Sequence, residues 1–252
     1  MTKQKIIVGN WKMNPVSLQE AQETFKAIEK GLRTNKKVTS IICPSFTHIA
    51  LLSKTKNRKS YIGAQNIFAE TKGSFTGEVS IDMLKDLGVS HVILGHSERR
   101  KLGESDELIN KKILLSLKYK LTPIFCIGET VRDEDGAYLA FLKEQLVKGL
   151  VGVTKAELSK IIIAYEPVWA IGAATAMNAR DVHETTILIK KTLSDLYKLK
   201  ARASVPILYG GSVDITNAYG ILTEGEADGL LIGRQSLEAK SFLDIIKSAQ
   251  TI

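Results

Sequence analysis

Four polar side chains stand where apolar runs stop: Asn10 and Lys12 after KIIVG, His96 after HVILG, and Glu166 after IIIAY. An amide, an ammonium, an imidazole and a carboxylate suit the removal of a proton from a carbon beside a carbonyl, where negative charge collects on oxygen as an enediolate. Glu166 is the base of that set. It precedes Pro167, so its backbone is extended and it ends a strand, and no further charge follows until Arg180. His96 precedes Ser97, Glu98, Arg99 and Arg100, which read as the first turn of a helix. The positive end of such a helix favours a neutral ring that donates a hydrogen bond to a carbonyl. A serine nucleophile at Ser97 is the competing reading of Gly-His-Ser. It fails because Arg99 stands where a nucleophile elbow needs its second glycine, and His183 falls inside a helical pattern. The proton chemistry requires no metal or organic cofactor, and no motif for one is present.

Three glycine-containing turns suggest a place for phosphate: AIG (170–172), YGGSV (209–213) and IGRQSL (232–237). The last two follow the seventh and eighth apolar runs. Barrels often hold phosphate there on backbone N–H groups.

The elements that must position these groups repeat about every 30 residues. Short apolar runs occupy 5–10, 38–44, 61–66, 91–96, 121–129, 161–166, 205–211 and 228–233, with amphipathic helical segments between most of them. The first helix is expected to open on a Ser17–Glu20 capping box. Nearly continuous apolar runs are strands covered on both faces. Eight strand–helix units with no dividing linker predict one domain, 1–252, folded as a closed parallel (β/α)8 barrel. An open doubly wound sheet would show a glycine-rich first turn, and GNWKMNP is not one. In a barrel all the strand C-termini share one face, which gathers Asn10, Lys12, Gln65, Asn66, His96, Glu129, Glu166 and the two late glycine turns.

Bulk composition narrows the surroundings. The net charge of +8 is spread over many helices, and the densest cluster, KTKNRK at 54–59, has no interleaved aromatics. It reads as a solvated surface, and no nucleic-acid partner is expected. Uncharged stretches stop short of a membrane span, and the N-terminus lacks a signal-peptide layout, which points to a soluble, cytoplasmic protein. Cys43 and Cys126 lie in apolar runs and are expected to be buried reduced thiols. The four histidines show no metal-ligand spacing.

Seven motifs together resemble the triosephosphate isomerase family, in its order and nearly end to end: GNWKMN (9–14), GAQN (63–66), FTGEVS (75–80), GHSERR (95–100), CIGE (126–129), AYEPVWAIG (164–172) and YGGSV (209–213). The resemblance implies a TIM barrel that interconverts dihydroxyacetone phosphate and D-glyceraldehyde 3-phosphate in glycolysis and gluconeogenesis, without a cofactor. It implies Glu166 as proton shuttle and His96 as the group that polarises the substrate oxygens. Lys12 would supply positive charge with Asn10 orienting it, and Ser97 and Glu98 would support them. Backbone N–H groups at Gly172, Ser212, Gly233 and Arg234 would hold the phosphate. Residues 167–178 would form a lid that closes Trp169 and Ile171 over the substrate. The family also implies a homodimer through the loop 65–78, which carries Phe68 and Phe75 and sends Thr76 toward the partner's site; an intramolecular flap is the alternative.

The sequence departs from the family at the lid's second half, where a Thr-Gly-Lys stretch and an alanine hinge are usual. Here it reads Ala173, Ala174, Thr175, Ala176 and Met177. Arg234 replaces a second glycine after the eighth strand. Two alternatives stay open at this level: another phosphosugar isomerase on the same barrel, and a catalytically impaired phosphate-binding homologue.

Overall fold

In the computed structural model, which describes residues 4–32, 37–171, 177–199 and 205–252, every apolar run contains a strand. These are β1 Lys5–Asn10, β2 Val38–Cys43, β3 Tyr61–Ala64, β4 His91–Leu94, β5 Thr122–Ile127, β6 Ile162–Tyr165, β7 Ile207–Tyr209 and β8 Gly229–Ile232. Most runs overshoot their strands at the C-terminal end, because the polar residues and glycines that close them, such as Gln65, His96, Glu166 and Gly210, already lie in the loops. All eight strands pair in parallel with their sequence neighbours, and β1 pairs with β8, Gly9 opposite Ile232, so the sheet closes.

The helices described are α1 Leu18–Gly31, α2 Phe46–Leu52, α3 Ile81–Asp86, α4 Ser97–Lys101, α5 Asp106–Lys118, α6 Ala137–Gly149, α7 Lys155–Leu158, α8 Ala179–Tyr197, α9 Ala218–Thr223 and α10 Ala239–Gln250. Side-chain oxygens of Ser17, Ser80, Ser105, Thr154 and Asn178 accept from the first turns of α1, α3, α5, α7 and α8. The expected capping box on α1 is only half formed. Ser17 Oγ accepts from the Glu20 N–H at 3.1 Å, while the Glu20 side chain stays in solvent. Both halves close at Thr154 and Glu157 instead.

Strand side chains alternate between two apolar layers. Val8, Ile41, Ile93, Ile124, Ile162, Ala164, Leu208 and Leu231 fill the barrel with the free thiols Cys43 and Cys126. Ile7, Ile42, Phe125, Ile163 and Tyr209 face outward under the helices. This period of two has a direct consequence for chemistry. Counting on from the inward residues, Val8 leads to Asn10 and Lys12, Ala164 to Glu166, Leu208 to Gly210 and Ser212, and Leu231 to Gly233. His96 is one step out of phase with Ile93.

Behind this face a buried ionic network ties β3 to α4 and α5. Lys112 Nζ donates to Glu104 Oε1 at 2.7 Å and to Asn66 Oδ1 at 2.9 Å, and Arg99 also donates to Glu104 Oε1. Burial opposes ionisation of Glu104, but the hydrogen bonds and charges of Lys112 and Arg99 outweigh it and hold the carboxyl below its ordinary value. A depressed folded value contributes stability above the unfolded Glu value of about 4.3, and that stability is lost as pH falls through the folded value. Lys112→Met should therefore destabilise by about 3–5 kcal/mol near neutral pH, because it leaves a buried carboxylate without its main partner. Denaturant unfolding at pH 7 and at pH 3 checks this: the deficit should shrink in acid, and a deficit independent of pH would contradict the assignment.

The basic stretch 54–59 lies between α2 and β3, at the end of the barrel opposite the strand C-termini. Lys54, Lys56 and Lys59 are exposed, and Arg58 donates to the Ser53 carbonyl.

Candidate active site

A cleft of about 390 Å³ opens at the C-terminal ends of the strands, lined among others by Asn10, Lys12, His96, Glu166, Ile171, Ser212, Gly233 and Arg234. The structure thus brings together the four chemical groups and three of the four residues expected at the phosphate. The fourth, Gly172, lies outside the described residues, as do Ala173 and Ala174. Asn66 and Glu129 also end strands but do not line the cleft. Asn66 belongs to the Lys112 network, and Glu129 is buried.

Lys12 is held in an unusual backbone conformation, with φ at +54°. Few non-glycine residues adopt it without outside support. Two side chains supply that support: Asn10 Oδ1 accepts from the Lys12 N–H at 3.1 Å, and Gln65 Nε2 donates to the Lys12 carbonyl at 2.8 Å. The Lys12 ammonium lies 2.6 Å from Glu98 Oε1. Burial resists ionisation of Glu98, but the Lys12 hydrogen bond and the Lys12 charge hold its carboxyl below the usual range.

His96 reaches the cleft through a backbone correction. Gly95 has φ +72°, and the turn it makes brings the out-of-phase imidazole inward. His96 then caps α4, its Nδ1 accepting the Glu98 N–H at 3.1 Å. A nitrogen that accepts carries no proton, so the ring is the neutral Nε2–H tautomer with its donor facing the cleft. Nε2 lies 3.2 Å from Glu166 Oε1, and Glu166 Oε2 accepts the Ser97 N–H at 3.1 Å.

The backbone of Glu166 is fastened on both sides. Its N–H donates to Ile127 O at 2.8 Å, and the Gly210 N–H donates to Tyr165 O at 2.7 Å. Gly128 is required by this packing, since a Cβ there would fall 1.8 Å from the Glu166 carbonyl oxygen. Cys126 is buried close by, and burial followed by the charge of Glu166 pushes its thiol far up, away from the thiolate. It is inert filling under the base.

After Glu166 the chain makes a short 3₁₀ turn over Val168–Ala170. Trp169 Nε1 and Tyr165 Oη both donate to the buried Glu129 Oε1 at 2.8 Å, and Ser212 Oγ donates to Ala170 O at 3.0 Å. Sequence reasoning placed Glu129 at a strand end but gave it no role, and it gave none to Gln65 or Tyr165. No local signal marks these roles, because each acts on a residue distant in the chain.

On the opposite wall the N–H groups of Ser212, Gly233 and Arg234 donate to no protein group among the described residues. Arg234 opens a 3₁₀ turn and needs no positive φ, so its side chain in place of glycine leaves that N–H available.

This geometry can be set beside known proteins. Residues 5–249 match the family model described as triosephosphate isomerase. The chain belongs to the triosephosphate isomerase family. A triosephosphate isomerase of Dictyoglomus turgidum is 41% identical over 251 residues, covering 98% of this chain and 100% of its own. That of Aster yellows witches'-broom phytoplasma is 41% identical over 241 residues, 95% of this chain and 88% of its own. That of Cytophaga hutchinsonii is 38% identical over 260 residues, 98% and 99% of the two chains. The chain is therefore an enzyme of the triosephosphate isomerase type on a closed (β/α)8 barrel, as the resemblance implied. Among the described residues no helix is long and apolar enough to cross a membrane.

Proposed function

We propose that residues 1–252 act as one domain in which Glu166 and His96 carry out the triosephosphate isomerase reaction on dihydroxyacetone phosphate and D-glyceraldehyde 3-phosphate. The observation that carries these roles is the 3.2 Å approach of Glu166 Oε1 to His96 Nε2, with the other imidazole nitrogen already occupied. A substrate carbonyl that takes the Nε2–H displaces Glu166 from it, which frees the carboxylate to remove the proton on the adjacent carbon. Charge then develops on oxygen beside the His96 donor and the Lys12 ammonium, and both stabilise it more than they stabilise the neutral carbonyl. His96 Nε2 then gives its proton to the former carbonyl oxygen and takes one from the neighbouring hydroxyl, while Glu166 returns the carbon-derived proton to the former carbonyl carbon, which completes the isomerisation.

The supporting residues follow from the same contacts. Asn10 and Gln65 fix Lys12, Glu98 fixes the His96 tautomer through its N–H, and the Ser97 N–H holds Glu166 until substrate arrives. Phosphate is held on the N–H groups of Ser212, Gly233 and Arg234, with Gly172 expected to join them. The segment 167–178 acts as a lid whose apolar residues Trp169 and Ile171 exclude water, which strengthens the base and protects the enediolate. The proton transfers call on no metal or organic cofactor.

We also assign a homodimer in the cytoplasm. Met13 and Val16 are more than 90% exposed and Phe75 is 43% exposed, all on loops beside the cleft, while Gln65 roots the loop 65–78 on Lys12. The tilted ring pair Phe68 and Phe75, with centroids 4.5 Å apart, gives that loop internal packing but leaves its tip in solvent. A partner subunit covers such a tip better than water does. Sedimentation at a monomer's mass would remove this part.

A coupled assay on the purified chain in deuterated water tests the reaction. Turnover of both triose phosphates with solvent deuterium entering the product is expected. Turnover of a different phosphosugar, or phosphate binding without turnover, would replace this reading.

A further inference from the structure

Two ends of the segment 167–178 are described, and both terminate on the same buried pair. At the first end Trp169 Nε1 donates to Glu129 Oε1 at 2.8 Å. At the second end Met177 is 4% exposed, and its Sδ lies 3.7 Å from Tyr165 Oη. Tyr165 Oη in turn donates to Glu129 Oε1 at 2.8 Å. Tyr165 has one proton, and a carboxylate outcompetes a thioether for it, so the sulfur acts as a polarisable packing surface over the phenol oxygen.

We propose that Met177 is a positioning residue for the isomerisation, its thioether locking the far root of the lid onto the Tyr165–Glu129 pair that also holds Trp169 at the near root. The proposal rests on the lid reading given above. Alanine, the usual residue at this hinge, has no atoms beyond Cβ with which to reach Tyr165. Met177 therefore adds a contact that belongs to this chain. It stands directly before Asn178, whose side chain caps α8 by accepting the Asp181 N–H at 2.8 Å, so the far root is backed by a 19-residue helix. Glu129 Oε1 is satisfied by only two side-chain donors, and Glu129 Oε2 has none among the described residues. A buried carboxylate with so few donors is costly to disturb. Loosening Tyr165 at one root therefore weakens the hold on Trp169 at the other, three residues beyond Glu166. The two roots share one support and are energetically coupled through it.

The test is a double-mutant cycle between Met177→Ala and Trp169→Phe, with Met177→Leu as the volume-retaining control, read as kcat and KM on triose phosphates and as thermal unfolding. Each single substitution should lower kcat/KM by about tenfold, and the pair should lower it by little more than either alone, as residues sharing one network do. Met177→Leu should recover most of the loss. Losses that multiply would overturn the proposal, as would unchanged kinetics in Met177→Ala, or a deficit in Met177→Ala that leucine fails to recover. A wild-type protein that turns over no triose phosphate would instead sink the underlying reading, and that result is visible before any variant is made.

Discussion

Glu166→Asp should lower kcat by about two orders of magnitude or more while the protein still folds and binds phosphate. Shortening the side chain withdraws the carboxylate by about one C–C bond, and a reacting group misplaced on that scale costs about 100-fold. The backbone at 166 is held by Ile127 O on one side and by the Gly210 N–H to Tyr165 O bond on the other, so it has little freedom to follow the shortened side chain. Steady-state kinetics with a phosphate-analogue binding assay separate the two effects: unchanged inhibitor affinity with collapsed turnover is the expected pattern. Near-normal turnover would remove Glu166 from the role of base.

Lys12→Met should raise KM and lower kcat together, with a loss of about 10²–10³ in kcat comparable to removal of an oxyanion donor. In the proposed mechanism the ammonium faces the substrate phosphate in the ground state and the enediolate in the transition state, so both parameters depend on it. A second readout comes from Glu98. Its carboxyl sits low because Lys12 donates to it, against the opposing pull of burial. Without that partner its proton affinity rises, and a titration of the Glu98 carboxyl followed by NMR should show its midpoint moved to higher pH. A Lys12→Met enzyme with unchanged KM would show that the phosphate is held without this charge.

How much of this was legible beforehand depends on how local each signal was. The strand-end identities Asn10, Glu166 and Ser212 needed only the pleat, because each falls two or four residues beyond an inward-facing residue of its own strand. The glycine turns after β7 and β8 were equally local. Glu129 shows the limit of that reasoning. It ends a strand just as Glu166 does, yet it is buried and spends its charge on Trp169 and Tyr165, which lie 40 and 36 residues away. Nothing in CIGE distinguishes a supporting carboxylate from a reacting one. The α1 capping box failed for a related reason: Glu20 has the right spacing, but water competes for its exposed carboxylate.

By itself the sequence determined the alternation of strand and helix, the inward phase of most strand-end groups, and the set of side chains able to move a proton beside a carbonyl. Tertiary structure alone decided which strand ends meet, because closure depends on β1 pairing with β8 across more than 200 residues. It also decided the two groups that break the strand's phase or conformation. His96 turns inward only through the left-handed Gly95, and Lys12 holds φ +54° only because Asn10 and the distant Gln65 fasten its N–H and carbonyl. Alternation along a strand is written in its own covalent geometry, whereas a strained backbone persists only where neighbours brought by the fold hold it in place.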